Sequence, residues 1–285
     1  MHTVASSGTA TRPGAILAEL IVALLLASIA AAIGGGILVA AERRTRRDAT
    51  ADRAGQTVRD LTRLLSSEIG AALPESVMVR GDTALDLHAH VGVSVLCARS
   101  AGAAVLPGTS TSAAIPFSFW RQTPEAADLL VVWDTSGGGR WQNIVVDSAV
   151  PAPDGAGCGT ASGFRTAADS QGRVATMRIF SSQAIPTGIP PGAPVRVYRP
   201  VRWTLYRGSD QSWSLGYRRC PRGQCGTVQP VAGPLAAASD SGLWFSARSR
   251  GTVVVVMRAA APPASAAQKT VMVTIAVRGA RHAWP

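Results

Sequence analysis

A run of 22 residues without a charge, Leu20–Ala41, limits the possible fold before anything else in the sequence. As a helix rising about 1.5 Å per residue it is roughly 33 Å long, enough to cross a bilayer core of about 30 Å. One carboxylate, Glu19, stands at its start, where it costs about 2–3 kcal/mol on insertion into lipid. Five residues before it lies Gly14, at the end of a polar leader of small residues. A secretory signal peptide is one reading, with Arg12 as its basic region and small-residue cleavage sites around Ala27–Ala32. The apolar part of such peptides spans only about 7–15 residues, and that reading leaves Glu19 unexplained. A plain signal anchor is another. Arg43, Arg44, Arg46 and Arg47 follow the run while only Arg12 precedes it, so the positive-inside rule would then keep the following domain in the cytoplasm.

The stretch Gly14-Ala15-Ile16-Leu17-Ala18-Glu19 and the apolar run behind it resemble the type IV prepilin signature shared by pilins and the pseudopilins of type II secretion. The resemblance implies that a prepilin peptidase cuts between Gly14 and Ala15 and that Glu19 becomes the fifth residue of the mature chain. It also implies that Glu19 pairs with the N-terminal amine of a neighbouring subunit during assembly. The family usually begins its mature chain with an N-methylated phenylalanine, where this chain has Ala15. A basic residue usually touches the glycine, whereas here Pro13 separates Arg12 from Gly14.

Four segments follow from this reading: residues 1–14 as leader, 15–41 as the membrane half of a helix, 42–74 as its amphipathic soluble half, and 75–285 as a β-rich globular domain. In the third segment Val58, Leu61, Leu65, Ile69 and Ala72 recur at spacings of three and four, a stripe able to pack while Arg59, Arg63 and Glu68 face water. Pro74 supplies the stop. Gly34-Gly35-Gly36 interrupts the membrane half at about 3 kcal/mol of helix propensity relative to alanine. The triplet either loosens the helix or lets another helix approach closely.

Beyond Pro74 the periodicity changes to that of strands: Val77–Val79, Leu85–Leu96, Leu129–Trp133, Ile144–Val146, Val174–Phe180, Leu243–Phe245, Val253–Met257 and Val271–Val277. Trp203–Tyr206 and Trp213–Tyr217 read as a hairpin about the polar turn Arg207–Gln211. In the last strand Val271, Val273, Ile275 and Val277 share one face. Gly102–Ala114, Pro151–Gly163 and Pro186–Pro194 read as loops. Strands without interleaved helices predict an α+β protein, one long N-terminal helix packed on a mainly antiparallel β domain. The order of the C-terminal half, from the hairpin through Pro230–Leu235 and Gly242–Phe245 to a valine-rich strand, is similar to the larger minor pilins and J-type minor pseudopilins.

Removing about 75 residues of leader and helix leaves roughly 210 of the 285 for one ordinary domain. The formal charge is +11, and Lys269 is the only lysine among 28 basic residues. A basic surface attracts nucleic acid or anionic lipid, but these arginines are scattered singly along the chain. Cys97, Cys158, Cys220 and Cys225 fit two disulfides in an oxidising compartment. Cys220 and Cys225 enclose the turn-forming Pro-Arg-Gly-Gln, which leaves Cys97 for Cys158. A zinc site needs tighter cysteine pairs.

No nucleophile elbow, phosphate loop or zinc-protease motif occurs. His88 and His90 alternate on one strand face without a third ligand in sequence, which reads as a solvated face. Asp134 and Asp147 flank the glycine-rich turn Ser136–Arg140, which lacks the dense oxygen ligands of a calcium loop. Trp120, Trp133, Trp141, Trp203, Trp213 and Trp244 read as core or hairpin residues. The expectation is a non-enzymatic filament subunit with no metal and no cofactor, sitting in the inner membrane with its domain in the periplasm or outside. Its expected partners are the prepilin peptidase, other minor and major pilins or pseudopilins, and membrane lipid. A DNA-uptake pseudopilin with a basic DNA-contacting surface, and a secreted or anchored β domain with a binding role, are the alternatives.

Overall fold

The structure is a computed structural model and describes residues 13–107, 118–136, 139–151, 176–249, 252–260 and 270–277. The chain divides into two units, Met1–Arg53 and Ala54–Pro285. A single helix, α1 (Pro13–Ala71), contributes residues to both. Its 59 residues end three short of Pro74, which opens a 3-10 turn, Pro74–Ser76. The helix runs without a break through Gly34-Gly35-Gly36, so the triplet interrupts the composition and not the backbone. Intrahelical hydrogen bonds outweigh the propensity cost over so long an element.

In the second unit, the packing stripe of α1 is the centre of the first hydrophobic core. Val58, Leu61, Leu65, Ile69 and Ala72 are all buried, while Arg59 and Arg63 are exposed. They pack with Leu85 and Leu87 of β2 (Ala84–Val95), with Trp203 and Leu205 of β10 (Pro194–Arg207), and with Leu215 of β11 (Trp213–Arg219). Glu68, at the margin of the stripe, is half-buried rather than in water, because Arg121 bonds it at 3.0 Å.

The strand β10 is the spine of an eight-stranded sheet. It pairs antiparallel with β2, with β11 and with β6 (Leu129–Asp134). The expected hairpin is present, with Trp203 opposite Tyr217 and Arg207 opposite Trp213. Its turn closes where the amide of Gly208 donates to the carbonyl of Ser212 at 2.8 Å and Asp210 accepts from the Ser212 amide and hydroxyl. β1 (Met78–Arg80), β5 (Phe119–Trp120), β7 (Arg140–Val145) and β12 (Gln229–Leu235) complete this sheet.

A four-stranded sheet of β3 (Ala98–Ser100), β4 (Ala103–Pro107), β9 (Thr176–Phe180) and β8 (Ser148–Pro151) builds a second core. There Leu106 and Ile179 meet Leu130, Val132, Val195 and Val197. The third sheet, β13 (Leu243–Ser249), β14 (Thr252–Arg258) and β15 (Thr270–Ala276), joins the first core through Phe245, Val253, Val255 and Met257. Val271 and Val273 are half-buried and Ile275 and Val277 buried, on one face as their alternation requires. Every strand pairing is antiparallel among the described residues. The chain is therefore an α+β protein, one long N-terminal helix with a mainly antiparallel β domain.

The segment read as a loop from Gly102 contains β4, and β3, β5, β8 and β12 were likewise not legible. They are short or rich in alanine, serine and proline, and their strand form comes from pairing with neighbours rather than from alternation. β10 begins nine residues before the hairpin, through Pro194 and Pro200. Proline lacks a donor but keeps its acceptor: the carbonyl of Pro200 accepts from the Cys220 amide at 2.9 Å.

Candidate functional site

In the first unit Gly14 and Ala15 both belong to α1, and their surroundings lie outside the described set. Glu19 is exposed and, among the described residues, has no ion-pair partner. Around and behind it, twelve large apolar side chains from Leu17 to Val39 are exposed, each by about half or more. At 100° per residue they fall on most sides of the helix, and Ala23, Ala30 and Gly34 take the rest. A helix apolar all round needs an apolar medium on every side.

The hydroxyl of Ser28 donates to the Leu25 carbonyl at 2.8 Å, so this polar group is satisfied within the helix. Apart from the neighbouring residues and backbone of the helix itself, nothing among the described residues lies within 4 Å of a Cβ placed on Gly34, Gly35 or Gly36. Past Ala41 the surface turns polar. Arg46 bonds Glu42 one turn back, and the hydroxyls of Thr45 and Thr50 return to carbonyls of their own helix. By length and composition the helix can cross a membrane.

In the second unit Cys220 and Cys225 form a disulfide across a loop of four residues, a 3-10 turn at Pro221–Gly223. Cys97 is also disulfide-bonded, and Cys158, its expected partner, lies outside the described residues, as do His2 and His282.

His88 and His90 do share one face of β2, but that face is half-buried and not the solvated one expected. Burial pushes both imidazoles below the usual value of 6.5, and the cations Arg121 and Arg196 push His90 further. The ring of His90 stands edge-on to Tyr198 at 5.7 Å. A depressed histidine binds its proton more tightly in the unfolded chain. Its contribution to stability is complete above pH 6.5 and is lost as the pH falls through that value toward the lower folded one. The double variant His88→Gln/His90→Gln should therefore lose less stability than the parent between pH 7 and pH 5 in urea unfolding. Parallel pH profiles for the two proteins would contradict this.

Asp134 is buried, and its carboxylate serves its own turn. The Ser136 hydroxyl and amide donate to it at 2.7 and 2.9 Å and hold it below the usual carboxylate range, with Gln142 adding a third bond. Asp147 accepts from the Ser182 amide and lies 3.7 Å from Arg222. Among the described residues no group of three or more metal-ligating side chains converges. Trp203 is a core residue, Trp133 and Trp141 pack edge to face at 5.3 Å, and Trp120 and Trp213 pack against the two cores. Trp244 departs from the expectation, being 38% exposed on the outer side of β13.

A buried ion pair escaped the sequence reading. Arg199 and Asp128 are 4% and 0% exposed. The guanidinium grips both carboxylate oxygens, Nε to Oδ1 at 3.0 Å and Nη2 to Oδ2 at 2.8 Å. Gln122 and the Thr123 carbonyl accept from two further donors, one on Nη1 and one on Nη2. The only sequence signal is an arginine in an apolar strand, and its partner is 71 residues away.

No family model, no curated protein and no solved structure matches the chain.

Proposed function

We propose that this chain is a minor pilin- or pseudopilin-like structural subunit of a type IV filament machine, helping to initiate or cap the filament. The observation that carries the reading is one helix with two surfaces. Its first part is apolar on all sides behind a lone carboxylate, and its last turns are the centre of a folded core. Membrane anchoring suits the first surface. Lateral packing against other such helices suits it equally, and a subunit that passes from lipid into a filament needs both. Glu19 stands five residues after Gly14, the distance at which cleavage after the glycine leaves it fifth in the mature chain.

The disulfides favour an extracytoplasmic domain, since the Cys220–Cys225 bond and the bonded Cys97 belong to an oxidising compartment. The flank Arg43–Arg47 argues the other way under the positive-inside rule. Two oxidised sites in the folded domain outweigh a flank whose charges are in part paired, as Arg46 is with Glu42. No catalytic role is assigned to the chain. Its work in this reading is assembly, with the peptidase, other subunits and inner-membrane lipid as partners.

Gly14→Trp tests the processing step. The bulky side chain should block the peptidase, and the full-length form should accumulate in the membrane of the native host, seen as a shift of about 1–1.5 kDa on a gel at about 110 Da per residue of leader. Normal processing of this variant would remove the prepilin reading.

A further inference from the structure

Arginines that are scattered in the sequence meet on the outer face of the eight-stranded sheet. Asp86 of β2 lies opposite Arg202 of β10, and Arg202 lies opposite Arg218 of β11, so the three form one row on one face. Arg80 of β1 reaches the same carboxylate, Nε to Oδ2 at 3.1 Å. His88 sits two residues from Asp86 on that face. Asp86 is fully engaged: Arg202 takes both its oxygens, through Nε and through Nη2 at 2.8 Å, and Arg80 shares one of them.

Arg218 is left over. Among the described residues it makes no hydrogen bond or ion pair, and its Nε is shut off from solvent without a partner. Nδ1 of His88 is in the same condition. Two of the four buried side-chain nitrogens without a partner thus fall on one small patch. Like charges placed directly opposite in an antiparallel pair, with Cβ atoms about 5 Å apart, repel each other. A buried donor without an acceptor adds to the penalty.

One kind of ligand relieves the repulsion. An oxyanion lying between Arg202 and Arg218 separates the two positive charges and accepts from the Nη groups of Arg218, which, unlike its Nε, are open to solvent. A cation would meet three guanidiniums against one carboxylate, and a neutral molecule would leave the repulsion in place. The patch is open to solvent, since the side chains of Arg202 and Asp86 are about a quarter exposed and that of Arg80 more than half. We propose that Arg202 and Arg218 form an oxyanion site on the outer sheet face, holding a carboxylate- or phosphate-type group, with Arg80 and Asp86 fixing the geometry of Arg202. The site belongs to the folded domain and does not depend on how the N-terminus is processed.

The test uses the full chain in detergent micelles, with thermal unfolding followed at constant ionic strength. Inorganic phosphate and a hexaglutamate peptide are titrated separately against the parent, Arg218→Gln and Arg248→Gln, the last an exposed arginine on β13. A bound ligand raises the unfolding midpoint in a saturable way. Parent and Arg248→Gln should show a saturable rise, and Arg218→Gln should need at least about tenfold more ligand for the same rise, a difference of about 1.4 kcal/mol. Arg218→Lys, which keeps the charge without the paired Nη donors, should fall between them. A response to phosphate assigns the site to small free anions, and a response to hexaglutamate alone assigns it to carboxylates of a protein chain. Equal responses in parent and Arg218→Gln, or no response to either probe, would overturn the proposal.

Discussion

Replacing Glu19 with alanine should leave membrane insertion intact or improved while recovery of partner subunits falls at least about tenfold, the equivalent of 1.4 kcal/mol. The two effects have opposite signs because the carboxylate is a liability in one setting and a contact in the other. In lipid, an acidic side chain near the start of an apolar helix costs about 2–3 kcal/mol, and alanine removes that cost. In a filament, the amine that cleavage would create on Ala15 is a positive charge at the edge of a neighbouring apolar helix. Either charge alone is expensive there, and the pair relieves both.

Only one axial stagger brings the two groups together, so the pair also sets the register between adjacent helices. Glu19→Gln separates charge from size and should behave like the alanine variant. The measurement is co-purification of partner subunits from the native host, with membrane recovery of the variant as control. If both variants retain partners as well as the parent does, Glu19 has no role in register. The exposure of Glu19 in the isolated chain gives the prediction its footing, because no contact among the described residues competes for the carboxylate.

Asp128→Ala should destabilise the folded domain by about 3–5 kcal/mol, because it leaves the Arg199 guanidinium buried without its counter-charge. For a domain of this size that is a fall in Tm on the order of 10 °C. The low end of the range is expected, since Gln122, the Thr123 carbonyl and the half-exposed Glu125 at 3.5 Å still face Arg199. The cost is not the net worth of the pair. Changing both partners together, Asp128→Leu with Arg199→Met, should recover most of the loss, as apolar replacement of a whole buried pair usually does. Urea unfolding of the three variants separates the cases, and a cost below about 1 kcal/mol for Asp128→Ala would mean that water reaches Arg199.

The place of this pair explains why it matters. Along β10, Val197 belongs to the second core and Val201 to the first, with Arg199 between them. Its bonds to residues 122, 123 and 128 tie the segment before β6 to the spine of the sheet.

The helix and its packing stripe were legible in the sequence because helical period and burial agree: all five stripe residues are in the core. The same holds for the Trp203–Tyr217 hairpin and for Val271–Val277, where alternation and turn chemistry act locally. What could not be read was set by pairing at long range. Nothing near Ala98 or Ser148 announces a strand; each acquires that form only beside its neighbour in the four-stranded sheet. The half-buried face of His88 and His90 was missed for a similar reason, since alternation fixes which side chains share a face but not what lies against it. The row Asp86–Arg202–Arg218 exists only through the register of three strands. At the N-terminus the position is reversed: the spacing of Gly14 and Glu19 is a sequence fact, and the fold adds the exposed apolar surface around it.

Intact-mass spectrometry of the protein purified from the membrane of its native host reads the processing step itself. A mature chain beginning at Ala15, with or without one added methyl group on its amine, is the predicted result. A chain beginning at Met1, or within Ala27–Ala32, would contradict the reading, the first by leaving a plain anchor and the second by leaving a secreted domain.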